Sequence, residues 1–184
     1  MNDTGIRHAH WTTEPTPVSH PDAALLLRAY FTEIVGRYWR RTATDGEIDA
    51  AMAAEPSDGL APPNGVFLLA RYDGVPAGCV GVRLLAERTG EIKRMFVAPR
   101  RRGMGDGGRL LAAAERAASD MGAAVVRLDT RRDLIQARRL YARHGYRETM
   151  RYNDNPHADH WFEKHILARG PHDDTTEPVS DGTR

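Results

Sequence analysis

The segment VAPRRRGMGDGGRLL, residues 97–111, sets Arg100, Arg101 and Arg102 against Gly103, Gly105, Gly107 and Gly108, then runs on into leucines and alanines. Glycine is entropically costly at the start of a helix, so such a cluster implies a backbone that something must approach closely. The arginines imply that the something is anionic. Three arrangements fit this stretch. In the first, Gly103-x-Gly105-x-x-Gly108 matches the dinucleotide fingerprint, and Asp129 falls at a strand end where a ribose-binding acid belongs. That fold places its first glycine directly after a doubly buried strand, whereas EIKRMFV carries Glu91, Lys93 and Arg94 and is separated from the glycines by APRRR. Too little chain follows Gly108 for the rest of such a domain, and no Gly-Lys-Ser/Thr follows for a Walker loop. In the second, the segment is a glycine-rich turn under a solvated basic cluster. In the third, it is a pyrophosphate cradle, with successive N–H groups at a helix start forming an anion nest to which the helix dipole adds.

The remaining chemistry-bearing side chains narrow the classes. Cys79 stands alone in an apolar run and reads as a small buried hydrophobe rather than a nucleophile, consistent with a reducing compartment. His8 and His10, and His157, His160 and His165, have no cysteine or acidic partners at ligand spacing, so no metal is expected. The 26 basic and 25 acidic residues nearly cancel, which argues against a nucleic-acid or membrane binder working through overall charge. No signal-length or membrane-length apolar run occurs, and a cytoplasmic protein is expected.

The elements that must position the loop follow from periodicity. Ser19 with Asp22 resembles a capping box ahead of Ala24, Leu27, Phe31, Ile34, Val35 and Tyr38 at helical spacing. Thr44 with Glu47 opens a shorter helix that stops near Pro56. GVFLLARY, VPAGCVGVRLL and EIKRMFV, joined at Asp73-Gly74 and Thr89-Gly90, predict a three-stranded antiparallel meander. After the glycine loop, Leu111, Ala114, Ala118 and Met121 share a helix face that Gly122 can terminate. The strand AAVVRLDT comes next, then a helix boxed by Asp133 and Gln136, with Ala137, Leu140, Tyr141 and His144 on one face and Gly145 at its end. YRETM and HWFEKHI close the chain as strands. The sum is an α/β fold, a single domain over residues 11–167 with a mixed, mostly antiparallel sheet flanked by helices. Residues 1–10 are expected to be flexible, and the apolar-poor tail 168–184 disordered.

With these elements in place, Arg100-Arg101-Arg102-Gly103-Met104-Gly105, preceded by EIKRMFVAP, resembles the Arg/Gln-x-x-Gly-x-Gly/Ala pyrophosphate motif of the GNAT superfamily of acyl-CoA-dependent N-acetyltransferases. A second family motif, A-x-x-L-Y-x-x-x-G-F/Y, matches ARRLYARHGY from Ala137 to Tyr146. The resemblance covers roughly residues 64–167. It implies acetyl-CoA as co-substrate, bound by Phe96, Val97, Arg102, Gly103, Met104, Gly105, Gly107 and Gly108. Strand N–H groups near Phe96 and Val97 would face the thioester. One departure is visible: the family often places an asparagine three residues before the motif alanine, and Leu134 stands there, with Gln136 the nearest substitute.

Transfer to an amine needs a base for the acceptor nitrogen and a proton for the departing thiolate. Glu91 is the candidate base, acting directly or through water, against the plainer reading that it begins an edge-like strand and pairs with Lys93. Tyr141 is the candidate acid through the resemblance, against the plainer reading of a core tyrosine with a satisfied hydroxyl. The acceptor, a primary amine of a small molecule or peptide, is expected near Arg37, Tyr38, Arg40, Tyr152, Asn153, Asp154 and Trp161, with Arg37, Tyr38, Tyr152 and Trp161 foremost. A monomer or homodimer is expected. The alternative from another class is a non-catalytic acyl-CoA-binding regulatory module.

Overall fold

Asp73 and Gly74 both take positive φ, 50° and 81°, the backbone of a two-residue turn whose twist matches that of its flanking strands. Around it β2 (Gly65–Tyr72) and β3 (Val75–Leu84) pair antiparallel, and β3 pairs antiparallel with β4 (Thr89–Val97), giving the expected meander. These elements come from a computed structural model that describes residues 10–85 and 88–167; the tail from 168 and residues 1–9 of the amino-terminal segment lie outside the described residues.

A strand that the sequence reading did not assign, β1 (Trp11–Pro15), pairs antiparallel with the outer edge of β2. Its five residues hold one large apolar side chain, too little to register as a period. It is fixed from outside, by the ladder and by His10, whose N–H donates to Asp73 Oδ1 at 2.7 Å.

Helix α1 (Pro21–Trp39) begins one residue later than the Ser19 signal suggested. His20 is the cap, its Nδ1 accepting from the Asp22 N–H at 3.2 Å, and Pro21 occupies the first turn, where no N–H is required. Its buried stripe is Ala23, Leu26, Leu27, Phe31 and Val35, with Ala24 exposed. Helix α2 (Asp45–Ala54) opens with the expected reciprocal box between Thr44 and Glu47.

Helix α3 (Asp106–Asp120) follows the glycine loop and ends before Gly122, at φ 91°. Strand β5 (Val125–Thr130) leads to α4 (Ile135–Arg143). The expected Asp133–Gln136 box does not form: Asp133 instead accepts from Arg131 at 2.8 Å, and α4 starts at Leu134 without a side-chain cap. Gly145, φ 84°, stops that helix, and β6 (Arg147–Thr149) and β7 (His160–His165) complete the sheet.

The seven strands run in the order β1-β2-β3-β4-β5-β7-β6. Neighbours pair antiparallel except β4 and β5, which are parallel and joined across one face by α3. That face carries the larger core, including Val82, Ile92, Leu110, Leu111, Val126 and Leu128; α1 covers a second cluster around Leu27, Phe67, Leu69 and Phe96 on the other. Between Lys93 and Phe96 the β3–β4 register slips by one residue, and Arg94 takes φ 55°. This bulge inverts the alternation along β4. Ile92, Met95 and Val97 therefore all belong to the α3 side, while Phe96 packs under α1. The bulged backbone is anchored by Arg94, whose buried guanidinium binds the Glu55 carboxylate and carbonyl, each at 2.8 Å, beside the Phe31 ring.

The parallel ladder is short. β4 and β5 pair only from Thr89–Val125 to Glu91–Arg127. Beyond it the strands part, and the glycine loop, α4 and α1 surround the opening. Among the described residues no helix is long and apolar enough to cross a membrane.

Candidate active site

A single helical turn (Pro99–Arg101) separates β4 from Gly103 and Gly105, which take φ 79° and 84°. Both are left-handed conformations that other residues adopt at a cost, and a Cβ at either would meet nothing within 4 Å. These two glycines therefore serve a backbone turn with open space beside it. Gly107 and Gly108 serve another purpose: a Cβ would approach Leu140 to 3.2 Å and the His144 ring to 2.9 Å, so their absence of side chain lets α4 close on α3. At the first turn of α3 the N–H groups of Asp106 and Gly107 have no acceptor within the helix and are free for an anion.

The three arginines divide. Arg101 packs its guanidinium 3.5 Å from the centre of the Tyr72 ring and binds the buried carboxylate of Asp106 through Nε at 2.9 Å, tying the loop to the helix it precedes. Arg102 lies over the Phe96 ring, donates from Nε to the Val97 carbonyl at 2.9 Å, and pairs with Glu33 of α1. Arg100 is exposed. The positive charge that marks this segment in the sequence is thus largely spent on shaping the loop, and the backbone is the main anion-binding feature left.

A cleft of about 1590 Å³ runs from this loop through the gap between β4 and β5. Phe96, Val97, Arg102, Gly103, Gly105, Gly107 and Gly108 line it, while the Met104 side chain is exposed and stands outside the lining. Leu134 and Gln136 line it at the start of α4. Tyr141 also lines it, with only 7% of the residue exposed and its hydroxyl 4.0 Å from Met95 Sδ, a weak acceptor. Burial pushes the Tyr141 phenol well above its usual range, so the proton stays on throughout neutral pH. At the far end Arg37 and Tyr38 line the cleft, the latter under the Arg131 guanidinium and against His157.

Glu91 is placed differently from a side chain open to the cleft. It is fully buried on the α1 side of the sheet and stands behind the lining. Arg83 donates to its Oε2 at 2.6 Å, the Tyr152 hydroxyl and the Asn153 amide donate to Oε1 at 3.1 Å each, and Lys93 Nζ lies 3.6 Å away. Tyr152 and Trp161, both expected at the acceptor, are supports of this network rather than lining residues; Trp161 Nε1 holds Asn153 Oδ1 at 2.9 Å.

Asp129 is the carboxylate of this network that does line the cleft. It accepts from Lys93 Nζ at 3.2 Å and Asn153 at 2.7 Å on Oδ2, and from Asn155 at 2.8 Å on Oδ1. A ribose-binding role for Asp129 does not hold: it stands at the open end of β5, across the gap from Lys93 and clamped by Asn153 and Asn155. Asn155 carries no signal in the sequence beyond the run Asn153-Asp154-Asn155-Pro156, a loop composition from which the two asparagine side chains fold back onto the sheet.

A mixed sheet parted after a bulged fourth strand, with a glycine loop and helix start at one side of the gap, defines the acyltransferase class of α/β folds. The chain belongs to the acetyltransferase (GNAT) family, whose family model matches residues 11–146. An uncharacterized N-acetyltransferase of Schizosaccharomyces pombe is 34% identical over 105 residues, which span 56% of this chain and 64% of that relative. Among solved structures, a GNAT-family acetyltransferase of Staphylococcus aureus shares the fold with a TM-score of 0.68 at 16% identity, over 86% of this chain and all of its own. The PaiA N-acetyltransferase of Thermoplasma acidophilum, solved in complex with coenzyme A, does so with a TM-score of 0.66 at 17% identity, over 85% of this chain and 99% of its own.

Proposed function

We propose that the protein transfers the acetyl group of acetyl-CoA to a primary amine of a small molecule or peptide by direct attack of the amine nitrogen on the thioester carbonyl. The observation that carries this reading is that the left-handed Gly103–Gly105 loop and the protonated Tyr141 hydroxyl open onto one cleft in a chain of this family. The pyrophosphate takes the N–H groups at the start of α3, with Arg102 beside it, and the pantetheine arm runs along Phe96 and Val97. The acceptor comes from the side of Arg37 and Tyr38.

An amine near neutrality is mostly protonated and must lose a proton before it attacks. Glu91 is the far end of that transfer. Lys93 passes one proton to Glu91 and takes the one the ammonium gives up, so Lys93 leaves the step charged as it entered. The free nitrogen then forms the C–N bond, main-chain N–H groups near Phe96 and Val97 stabilise the oxyanion, and the C–S bond breaks. Tyr141 gives its phenolic proton to the thiolate as charge develops on sulfur, the second proton released by the amine nitrogen restores the phenol, and the proton held by Glu91 returns through Lys93 to solvent before the next turnover.

The test is acceptor-dependent thiol release from acetyl-CoA against a panel of primary amines, beside calorimetry of acetyl-CoA binding. Binding with thiol release for at least one amine is expected. Binding without release for any amine would make the chain an acyl-CoA-binding module, and absence of binding would remove the cradle.

A further inference from the structure

Where β4 and β5 part, the two strands are bridged by side chains alone: Lys93 Nζ reaches across the gap to Asp129 Oδ2 at 3.2 Å. The site this makes is built, not incidental. The Asp129 side chain is about nine-tenths buried, and Asn153 and Asn155 clamp one oxygen each. These donors fix the plane of a carboxylate that lines the cleft, and its remaining partner is the primary ammonium of Lys93.

Lys93 has a second place to go. Glu91 Oε1 is 3.6 Å from the same Nζ, and its other oxygen is already paired with Arg83. Around the gap the charges of Glu91 and Asp129 are balanced by Lys93 and Arg83. A lysine between two carboxylates can lean towards either, and a cation arriving at Asp129 displaces it only as far as Glu91. A neutral ligand offers Asp129 no such exchange, because removing Lys93 would leave a mostly buried carboxylate without its cation.

We propose that Asp129 is an ammonium subsite, that Lys93 occupies it in the free protein as an internal stand-in for the acceptor, and that the site therefore selects protonated primary alkylamines. This rests on the acetyl-transfer reading for its place in a reaction, but the binding it asserts stands apart from turnover. The group that Asp129 holds in this structure is the compact –NH₃⁺ of Lys93, with Asn153 and Asn155 on either side, so a primary ammonium is the ligand that replaces it without added bulk, while weakly basic arylamines, neutral near pH 7, lack the charge.

The probe is n-butylamine at pH 7, titrated into the full chain with saturating coenzyme A and followed by ligand-observed NMR, with aniline as the neutral comparison. Coenzyme A affinity and melting temperature monitor folding. Lys93→Met keeps the stem volume and deletes only the ammonium, so butylammonium should bind several-fold more tightly. Asp129→Asn should weaken it at least tenfold, and aniline should respond to neither change. In turnover, Lys93→Met should lower KM for butylamine while kcat falls with the lost relay, a split that a purely structural lysine would not give. The proposal is overturned if folded Lys93→Met binds butylammonium no better than wild type, or if Asp129→Asn binds it as well as wild type. Tight, Asp129-dependent binding with no thiol release from acetyl-CoA for butylamine or any other amine of the panel would sink the acetyl-transfer reading and leave the subsite standing.

Discussion

The two ends of the cleft are made of different material. At the glycine loop the working surface is main chain: two left-handed glycines and the first N–H groups of α3, with two of the three neighbouring arginines turned to structural contacts. At the parted strands it is side chain: Lys93, Asp129 and Asn155 at the cleft with Glu91 and Asn153 behind them, drawn from β4, β5 and the β6–β7 loop into one charge-compensated network. A backbone site responds to substitution through conformation and steric access. A network site responds through charge, because deleting one member leaves its partner buried and uncompensated. The two ends should therefore fail in distinguishable ways.

The largest effect is expected midway between them, at Tyr141. Tyr141→Phe keeps the ring against Tyr146 and Phe162 and removes a hydroxyl with only a sulfur contact, so melting temperature and coenzyme A affinity should hardly move. Turnover should fall by about 10²- to 10⁴-fold, the range of general acid catalysis. Since burial raises the phenol's pKa, the wild-type profile should show no loss of active Tyr141 up to pH 10. Steady-state rates over pH 6–10 for both proteins check this, and wild-type turnover in folded Tyr141→Phe, with chemistry limiting, would make Tyr141 a core residue only.

Glu91→Gln comes next and probes the network end. Glutamine keeps the size and can still accept from Tyr152 and Asn153, but it gives up the charge facing Arg83 and Lys93. The deficit in kcat/KM should be greatest at low pH and shrink as pH rises and free amine becomes available unaided. An unchanged profile in a protein of unchanged stability would place the base elsewhere.

At the backbone end, Gly105→Ala separates strain from access when compared with Gly122→Ala. Both glycines have positive φ, 84° and 91°, and open space at the Cβ position, so each alanine should cost about 1–2 kcal/mol of stability for its left-handed backbone. Only Gly105 adjoins the cleft. Gly105→Ala should weaken coenzyme A binding by about tenfold or more, the scale of one lost hydrogen bond to a charged group, while Gly122→Ala leaves it unchanged. Equal binding losses in calorimetry would mean that destabilisation, not crowding of the cradle, is being measured.

The same contrast explains what was legible in the sequence. The glycine loop, the Asp73-Gly74 turn and the Thr44–Glu47 box are local, each written within a few residues, and their backbone conformations follow from residue type. The order of elements, and with it the sheet apart from its outer strand β1, follows from the same kind of signal. The network end is non-local. Glu91, Asp129 and Asn155 meet only because β4 and β5 run parallel and part after three residue pairs, a register no short window contains. Periodicity placed Glu91 on a strand but could not say that Arg83, Tyr152 and Asn153 would close over it. The Arg94 bulge inverts the faces of β4, so alternation read straight through EIKRMFV puts Lys93 and Met95 on one side when they lie on opposite ones. Where local signals competed, other local contacts won: Asp133 went to Arg131, two residues away, rather than to a cap, and His20 with Pro21 displaced Ser19.

The smallest expected effect joins the two ends. Glu33 of α1 pairs with Arg102 beside the glycine loop and, 3.0 Å from Arg37 Nε, with the far end of the cleft as well. Burial alone would raise its carboxyl pKa, but the hydrogen bonds and charges of Arg102 and then Arg37 outweigh that and hold it below the usual range. Glu33 is therefore ionised across the neutral range and competes with a pyrophosphate for Arg102. Glu33→Gln should tighten coenzyme A binding by about two- to fivefold, the scale of a partly exposed ion pair, uniformly from pH 6 to 9. The sign on stability is opposite: a folded-state pKa below the unfolded one stabilises above the unfolded value and is lost as pH falls through the folded value. The variant should thus lose a small part of the wild-type stability near neutrality, and that difference should fade as pH falls through the lowered folded-state value. Calorimetry at low and high salt checks the first effect, which should shrink as salt screens the pair. Weaker coenzyme A binding by Glu33→Gln would mean that Glu33 orients Arg102 for the cofactor instead of competing for it, and would make α1 part of the cradle.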